Sequence, residues 1–285
     1  MAKRQMSSEE GFDLRQAMHV AILDALVASR RWEPGELVFH GGTSLHLAYK
    51  SPRFSEDLDF MITAPLKALD LAEAVRSRLG RPVWVPGDMD VAIDRVREEG
   101  SMRTFVVTLR GGDVMGAAKV KVEFWKATPN AVGSLRTVVA PIQLPRGAGS
   151  EFNPYIVTAA PDEIMADKVF AMGGRPYTKA RDIFDIHWLS QHPVQYPGAA
   201  EFSVRFGIYN IGGPDQWLKT ARNRRQELLD DPMAIATGLR PWLPPYWPLT
   251  EASVGEMIVT SVNAVDHGLA VVAEMIRAAE PDLSP

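Results

Sequence analysis

Apolar residues recur at helical spacing between Asp13 and Arg30, where Leu14, Ala17, Met18, Ile22, Ala25 and Leu26 share one stripe. The pattern then changes. ELVFHGG reads as a short strand running into a glycine turn, and TSLHLAYK as a helix whose apolar part is Leu45, Leu47, Ala48 and Tyr49. DLDFMI comes next as a strand and Leu66 to Leu79 as a helix. SMRTFVVTLR and GAAKVKVEFWKA are the strongest strand signals, because both alternate and are rich in β-branched and aromatic residues. This mixed order predicts an α+β (mixed α/β) fold with a small mixed sheet.

A proline- and glycine-rich stretch, APIQLPRGAGSEFNP, marks a boundary, which divides the chain into residues 1–150 and 151–285. Beyond it the chain turns helical. DEIMADKVFAM comes after a proline and opens with two acids, a helix-start signal. YTKARDIFDIHWLS is a second helix, Gly213 to Leu229 contains a third, and Glu251 to Ala279 is a closing helix or pair. LRPWLPPYWPLT is excluded from helix by its prolines.

With 285 residues, 46% hydrophobic and 23% charged, the chain has the balance of a globular protein with a sizeable core. It has no cysteine, so disulfides, thiolate zinc sites and a cysteine nucleophile are excluded, and a reducing, cytoplasmic location is expected. No signal peptide or membrane span is expected, since no apolar run is long enough. The net charge of −4 does not advertise nucleic-acid binding. LKTARNRRQELL, with Lys219, Arg222, Arg224 and Arg225, reads first as a solvated helix face and alternatively as a contact for an RNA backbone; RSRLGRP is a weaker case. The six histidines form no ligand set, and Ser44 and Ser55 lack triad spacing.

Residues two apart on a strand face the same way. Asp57 and Asp59 therefore point to one side, and Leu58 and Phe60 to the other, toward a core. In KVKVEFW the same rule sets Lys119, Lys121 and Glu123 against Val120, Val122 and Phe124. If the two strands are neighbours, Glu123 completes a triad of acids. Like charges about 4 Å apart repel by roughly 4 kcal/mol at an effective dielectric near 20. Such a cluster calls for a proton or a cation, and Mg²⁺, hard and oxygen-seeking, suits it. Upstream, Gly41 and Gly42 permit close backbone approach, and a helix starting at Thr43 and Ser44 offers free N–H groups to phosphate. Taken alone, each feature reads first as plain structure, the acid pair as a turn or solvated edge and the glycines as a turn with Thr43 as a helix cap.

Together they resemble the nucleotidyltransferase superfamily of the polymerase-β type. The longer string GGTSLHLAYKSPRFSEDLDF resembles the AbiEii-type toxins, also called the MenT-like family; DEIMADKVFAM and RDIFDIHWL are similar to that family's lysine and RD-x-x-D motifs. The resemblance runs from Leu37 to Leu189, with GPDQW as a faint last match. Fourteen residues separate Gly42 from Asp57, more than in the general superfamily pattern, but the AbiEii-type string has this arrangement.

The resemblance implies a nucleotidyltransferase core in residues 1–150 and a helical domain that adds Lys168, Asp182 and Asp185 to the site. Gly41, Gly42, Thr43, Ser44 and Arg53 would bind the nucleotide. Asp57, Asp59 and Glu123 would hold Mg²⁺ or Mn²⁺, with Ser55 beside the metal or the γ-phosphate. Lys168 would neutralise the triphosphate, and Asp182 or Asp185 would activate the acceptor or order Lys168. Asp182 and Asp185 share a helix face, although Arg181 and Asp185 also have the spacing of a surface pair, and Arg53 also has Glu56 within reach. The implied activity is transfer of a nucleotide from an NTP to an acceptor such as a tRNA 3′ end. That would inhibit translation and growth, opposed by an antitoxin of the winged-helix regulator type. A protein acceptor (AMP or GMP transfer) and a catalytically silent nucleotide- or RNA-binding module are the alternatives.

Overall fold

Ser7 and Glu10 cap each other's backbone N–H groups, and helix α1 (Ser8–Ala28) begins from that reciprocal box. The structure, a computed structural model, describes residues 4–79, 89–112, 114–143, 155–209 and 211–279. The chain forms two compact units. The first comprises Met1–Lys50, Ser55–Gly133 and Thr137–Ala159; the second comprises Ser51–Phe54, Ser134–Arg136 and Ala160–Pro285. The change of character expected between residues 150 and 151 lies outside the described residues.

After a two-residue strand β1 (Arg4–Gln5) and α1, the first unit continues through β2 (Leu37–His40), α2 (Gly41–Tyr49), β3 (Leu58–Ile62) and α3 (Ala68–Leu79). Next come β4 (Met89–Glu99), β5 (Met102–Gly111), β6 (Val114–Met115), β7 (Ala118–Lys126), the short α4 (Pro129–Gly133), β8 (Thr137–Pro141) and β9 (Tyr155–Ala159). Seven strands make one mixed sheet in the order β4-β5-β7-β3-β2-β9-β8, while β1 and β6 pair separately. The mixed fold expected from the element order is the one observed.

Four phenylalanines hold the centre of this sheet. Phe39 pairs with Phe60, and Phe60 with Phe124, in direct cross-strand register. Ring centroids lie 5.2 Å and 5.1 Å apart, and Phe105 extends the row at 5.8 Å from Phe124. Such pairs add stability beyond the area they bury. Leu58, Phe60, Val120, Val122 and Phe124 are all buried, as the alternation predicts, and α1 and α3 pack over the same core.

Two features differ from the sequence expectation. The glycines form no separate turn: Gly41 and Gly42 are already the first helical residues of α2, directly after β2. Gly41 has φ +79°, a left-handed conformation that glycine adopts without penalty. Strands β4, β8 and β9 were not apparent in the apolar pattern. Only Ile93 of β4 is buried, so ladder pairing to β5 rather than burial makes that strand.

The second unit contains α5 (Pro161–Gly174), α6 (Ala180–Ser190), α7 (Ala199–Ile208), α8 (Gly213–Asp230), α9 (Pro232–Leu239), a 3₁₀ turn at Arg240–Trp242 and α10 (Glu251–Ala279). The closing segment is one 29-residue helix that packs on α5, α6 and α8. Buried Trp217 of α8 fills the centre of this unit and donates from Nε1 to the Phe170 carbonyl (2.8 Å). Room for the indole comes from Gly173 and Gly268, where an added Cβ would come within 2.3 Å and 2.8 Å of the ring. No described helix is long and apolar enough to cross a membrane.

The phenylalanine row makes a direct prediction. Phe60→Ala empties its middle and should lower unfolding stability by about 3–5 kcal/mol, read by denaturant titration.

Candidate functional site

The first unit gathers its polar residues on the face of the sheet opposite to the buried Phe60 and Phe124. Register sets His40 of β2 opposite Asp59 of β3, Asp59 beside Glu123 of β7, and Glu123 opposite Thr104 of β5. Asp57 immediately precedes β3 and Asp59 is its second residue, so the strand period turns both acids the same way. The condition set for Glu123, that its strand adjoin that of the acid pair, is met. The Glu123 carboxylate, however, sits 2.6 Å from the Lys121 ammonium on its own strand. Burial opposes the Lys121 charge, yet the hydrogen bond and charge of Glu123, with the charges of Asp57 and Asp59, raise its pKa.

The start of α2 reaches this row closely. A Cβ on Gly41 would lie 2.7 Å from Asp59 Oδ2, so glycine is required there by contact as well as by φ. Buried Thr43 donates its hydroxyl to the Asp57 carbonyl, and buried Ser44 donates to the Gly41 carbonyl (3.0 Å). Both hydroxyls expected to meet phosphate are therefore engaged with backbone, which leaves the main chain of Gly41 and Gly42 as the part of this segment suited to an anion. Ser55 is half-buried, two residues ahead of Asp57.

A second backbone anchor was not apparent in the sequence. His19, fully buried on α1, bonds through Nε2 to the Glu56 carbonyl (2.9 Å). Gln16 lies between His19 and His46, its Oε1 3.3 Å from His19 Nδ1 and its Nε2 2.6 Å from His46 Nε2. Burial depresses the His19 pKa to about 4, His46 and Arg15 adding to the effect against the pull of the Glu56 carbonyl. A neutral imidazole has one N–H, and the carbonyl requires it at Nε2. His19 and Thr43 thus fix two successive carbonyls, those of Glu56 and Asp57, at the approach to β3.

The acids suit a hard cation. Asp57 and Asp59 share a side, Gly41 leaves the space a Cβ would fill, and His40 Nε2 is buried beside them without a hydrogen-bond partner. Mg²⁺ is commonly held by one or two carboxylates plus substrate oxygens. Among the described residues no three His, Asp or Glu side chains are close enough to hold a metal between them. The Glu123 carboxylate is paired with Lys121 instead.

The second unit carries a separate cluster. Asp185 is wholly buried and accepts a bidentate pair from Arg53, itself 2% exposed, at 2.6 Å and 2.8 Å. Lys168 places its ammonium 2.7 Å from both Asp182 Oδ1 and Asp185 Oδ2, and Arg175 closes on Asp182. Burial would raise the Asp182 pKa, but Lys168 and Arg175 hold it well below the carboxylate range. Burial likewise opposes the Lys168 charge, and the two aspartates outweigh it and raise its pKa.

Three charged residues differ from their expected roles. Arg53 pairs with Asp185, while Glu56 pairs with Arg15. Arg53's fork is thus engaged within its own unit rather than presented to a nucleotide. Arg181 does not pair with Asp185; it lies over the Trp242 ring at 4.2 Å. In the basic run of α8, Arg224 is buried against the Met172 and Arg175 carbonyls, and Arg225 pairs with Asp266 at 2.7 Å, leaving Lys219 and Arg222 exposed.

A family model described as nucleotidyl transferase AbiEii toxin, type IV toxin–antitoxin system, matches residues 24–233. Among solved structures, the nucleotidyltransferase toxin MenT4 of Mycobacterium tuberculosis superposes with a TM-score of 0.60 at 19% identity, covering 96% of this chain and 92% of that one. JHP933 of Helicobacter pylori superposes with a TM-score of 0.53 at 20% identity, covering 96% and 99%. At these identities the superpositions speak for the fold. No curated protein matches the chain.

The buried His19 predicts a pH dependence. Its pKa is about 4 folded against 6.5 unfolded, so between these values the unfolded chain binds the additional proton. Stability is whole above pH 6.5 and is lost as pH falls toward 4. Denaturant titrations should show a drop of about 2 kcal/mol between roughly pH 7 and pH 5, largely absent in His19→Asn.

Proposed function

Because the chain belongs to the AbiEii nucleotidyl transferase toxin family, we propose that it transfers a nucleotide from an NTP to an acceptor hydroxyl, with a tRNA 3′ end as acceptor. The acceptor oxygen bonds to the α-phosphorus, the bond from that phosphorus to the bridging oxygen breaks, pyrophosphate leaves, and the hydroxyl proton passes to solvent. Transfer of this kind depends on positioning and charge neutralisation more than on covalent help from the protein.

The observation that carries this reading is the row His40–Asp59–Glu123 against the glycine start of α2. Asp57 and Asp59 would hold Mg²⁺ or Mn²⁺, which when bound supplies positive charge to phosphate oxygens. Gly41 and Gly42 offer main-chain N–H groups to the phosphates. Glu123, paired with Lys121, would have to leave that ion pair to join as a third carboxylate. Lys168 directs two of its three N–H donors at Asp182 and Asp185, which leaves one for a phosphate oxygen. Asp182 makes a poor base, because its neighbours favour the ionised form. Of the two roles open to the aspartates, ordering Lys168 is the one the contacts support. In the cell, this activity stops translation and growth, and a cognate antitoxin of the winged-helix regulator type relieves the arrest.

The test is incubation with each labelled NTP, Mg²⁺ and total tRNA. One nucleotide should label the RNA and release pyrophosphate, and Asp57→Asn or Asp59→Asn should reduce transfer by about 10²–10³-fold. Label on a protein band would replace the acceptor assignment. NTP binding without pyrophosphate release, or transfer that survives both substitutions, would overturn the reading.

A further inference from the structure

One cluster in the second unit shows a local excess of positive charge. Five cationic side chains, Arg53, Lys168, Arg175, Lys179 and Arg181, stand around two carboxylates, Asp182 and Asp185. Arg53 takes both oxygens of Asp185, and Lys168 and Arg175 divide Asp182. Glu227 is engaged by Arg224 and Thr178. Nothing is left over for Lys179. It is half-buried, its ammonium has no carboxylate within ion-pair distance among the described residues, and it lies over the Tyr177 ring at 5.8 Å. Burial lowers its pKa, Arg175, Arg181 and Lys168 lower it further, and only Asp182 pulls the other way.

A half-buried ammonium among other cations is costly unless an anion joins it. The site is also built rather than loose. Buried Arg224 donates to the carbonyls of Met172 (3.2 Å) and Arg175 (2.8 Å) and to the Thr178 hydroxyl, so it holds the connection between α5 and α6 at both ends. Arg175 is linked to Lys168 through one shared carboxylate and so stands beside the lysine that the family motif supplies.

We propose that Arg175 and Lys179 form a phosphate-binding subsite beside Lys168, filled by one phosphate group of a nucleotide polyphosphate or of an RNA backbone. The subsite rests on the nucleotidyl-transfer reading for the source of that phosphate, and on the charge balance of this cluster for its existence.

The full chain is titrated with inorganic pyrophosphate by calorimetry in EDTA, so that binding is read without metal and without catalysis. Lys179→Gln should weaken pyrophosphate about tenfold, and Lys179→Arg should restore it. On the unaltered protein, limited acetylation read by mass spectrometry should label Lys179 several-fold less when pyrophosphate is present, a readout independent of any variant's folding. With NTP and tRNA as substrates, a rise in KM for NTP alone in Lys179→Gln assigns the phosphate to the nucleotide. A rise in KM for tRNA alone, with a shallower salt dependence, assigns it to the RNA. Loss of transfer in every assay with pyrophosphate binding and protection intact would overturn the function and leave the subsite standing. Unchanged pyrophosphate affinity in Lys179→Gln, or unprotected Lys179 acetylation, overturns the subsite.

Discussion

Register between β3 and β7 sets Asp59 beside Glu123, and the phenylalanine row on the other face keeps it there. A slip of β3 by one residue would part the carboxylates but would turn Phe60 out of the core. The apolar face therefore holds in place a concentration of negative charge that would otherwise disperse. Lys121 offsets part of it through Glu123 and feels the charges of Asp57 and Asp59 as well.

Around that constraint the first unit is arranged to keep backbone still. Thr43 fixes the carbonyl of Asp57 and His19 that of Glu56, while Gly41 brings the start of α2 within contact of Asp59. The second unit treats its buried charges differently. Arg53 and Asp185 form a closed bidentate pair, of the kind that is destabilised strongly when one partner is lost. Lys168 is held by two carboxylates at equal distance and so presents a fixed charge. The cluster in the first unit gathers surplus acid, that in the second surplus base.

Much of this was legible along the chain because it depends on short-range periodicity. The alternation in KVKVEFW marked the buried Val120, Val122 and Phe124 and the outward Lys121 and Glu123, and DLD placed its two acids on one side. The mixed fold and the family were carried by ordered motifs. The contacts that were not legible are those between distant residues. Arg53 and Asp185 are 132 positions apart, and Arg53's nearer acid, Glu56, is taken by Arg15. Thr43 and Ser44 look like phosphate ligands until burial shows their hydroxyls turned to carbonyls. The edge strand β4 escaped notice because exposed, charged residues give no apolar signal. His19 reads along the chain as one more polar position on α1; only three-dimensional burial marks it.

Everything proposed for the first unit requires that Asp57 and Asp59 take up a divalent cation. Mn²⁺ binding read by electron paramagnetic resonance, on the protein without nucleotide and then with a non-hydrolysable NTP analogue, measures it without turnover. Bound Mn²⁺ should tighten with the analogue, be lost in Asp59→Asn and be weakened in Glu123→Gln. Mn²⁺ that binds equally well to Asp59→Asn, or not at all with the analogue present, would contradict it.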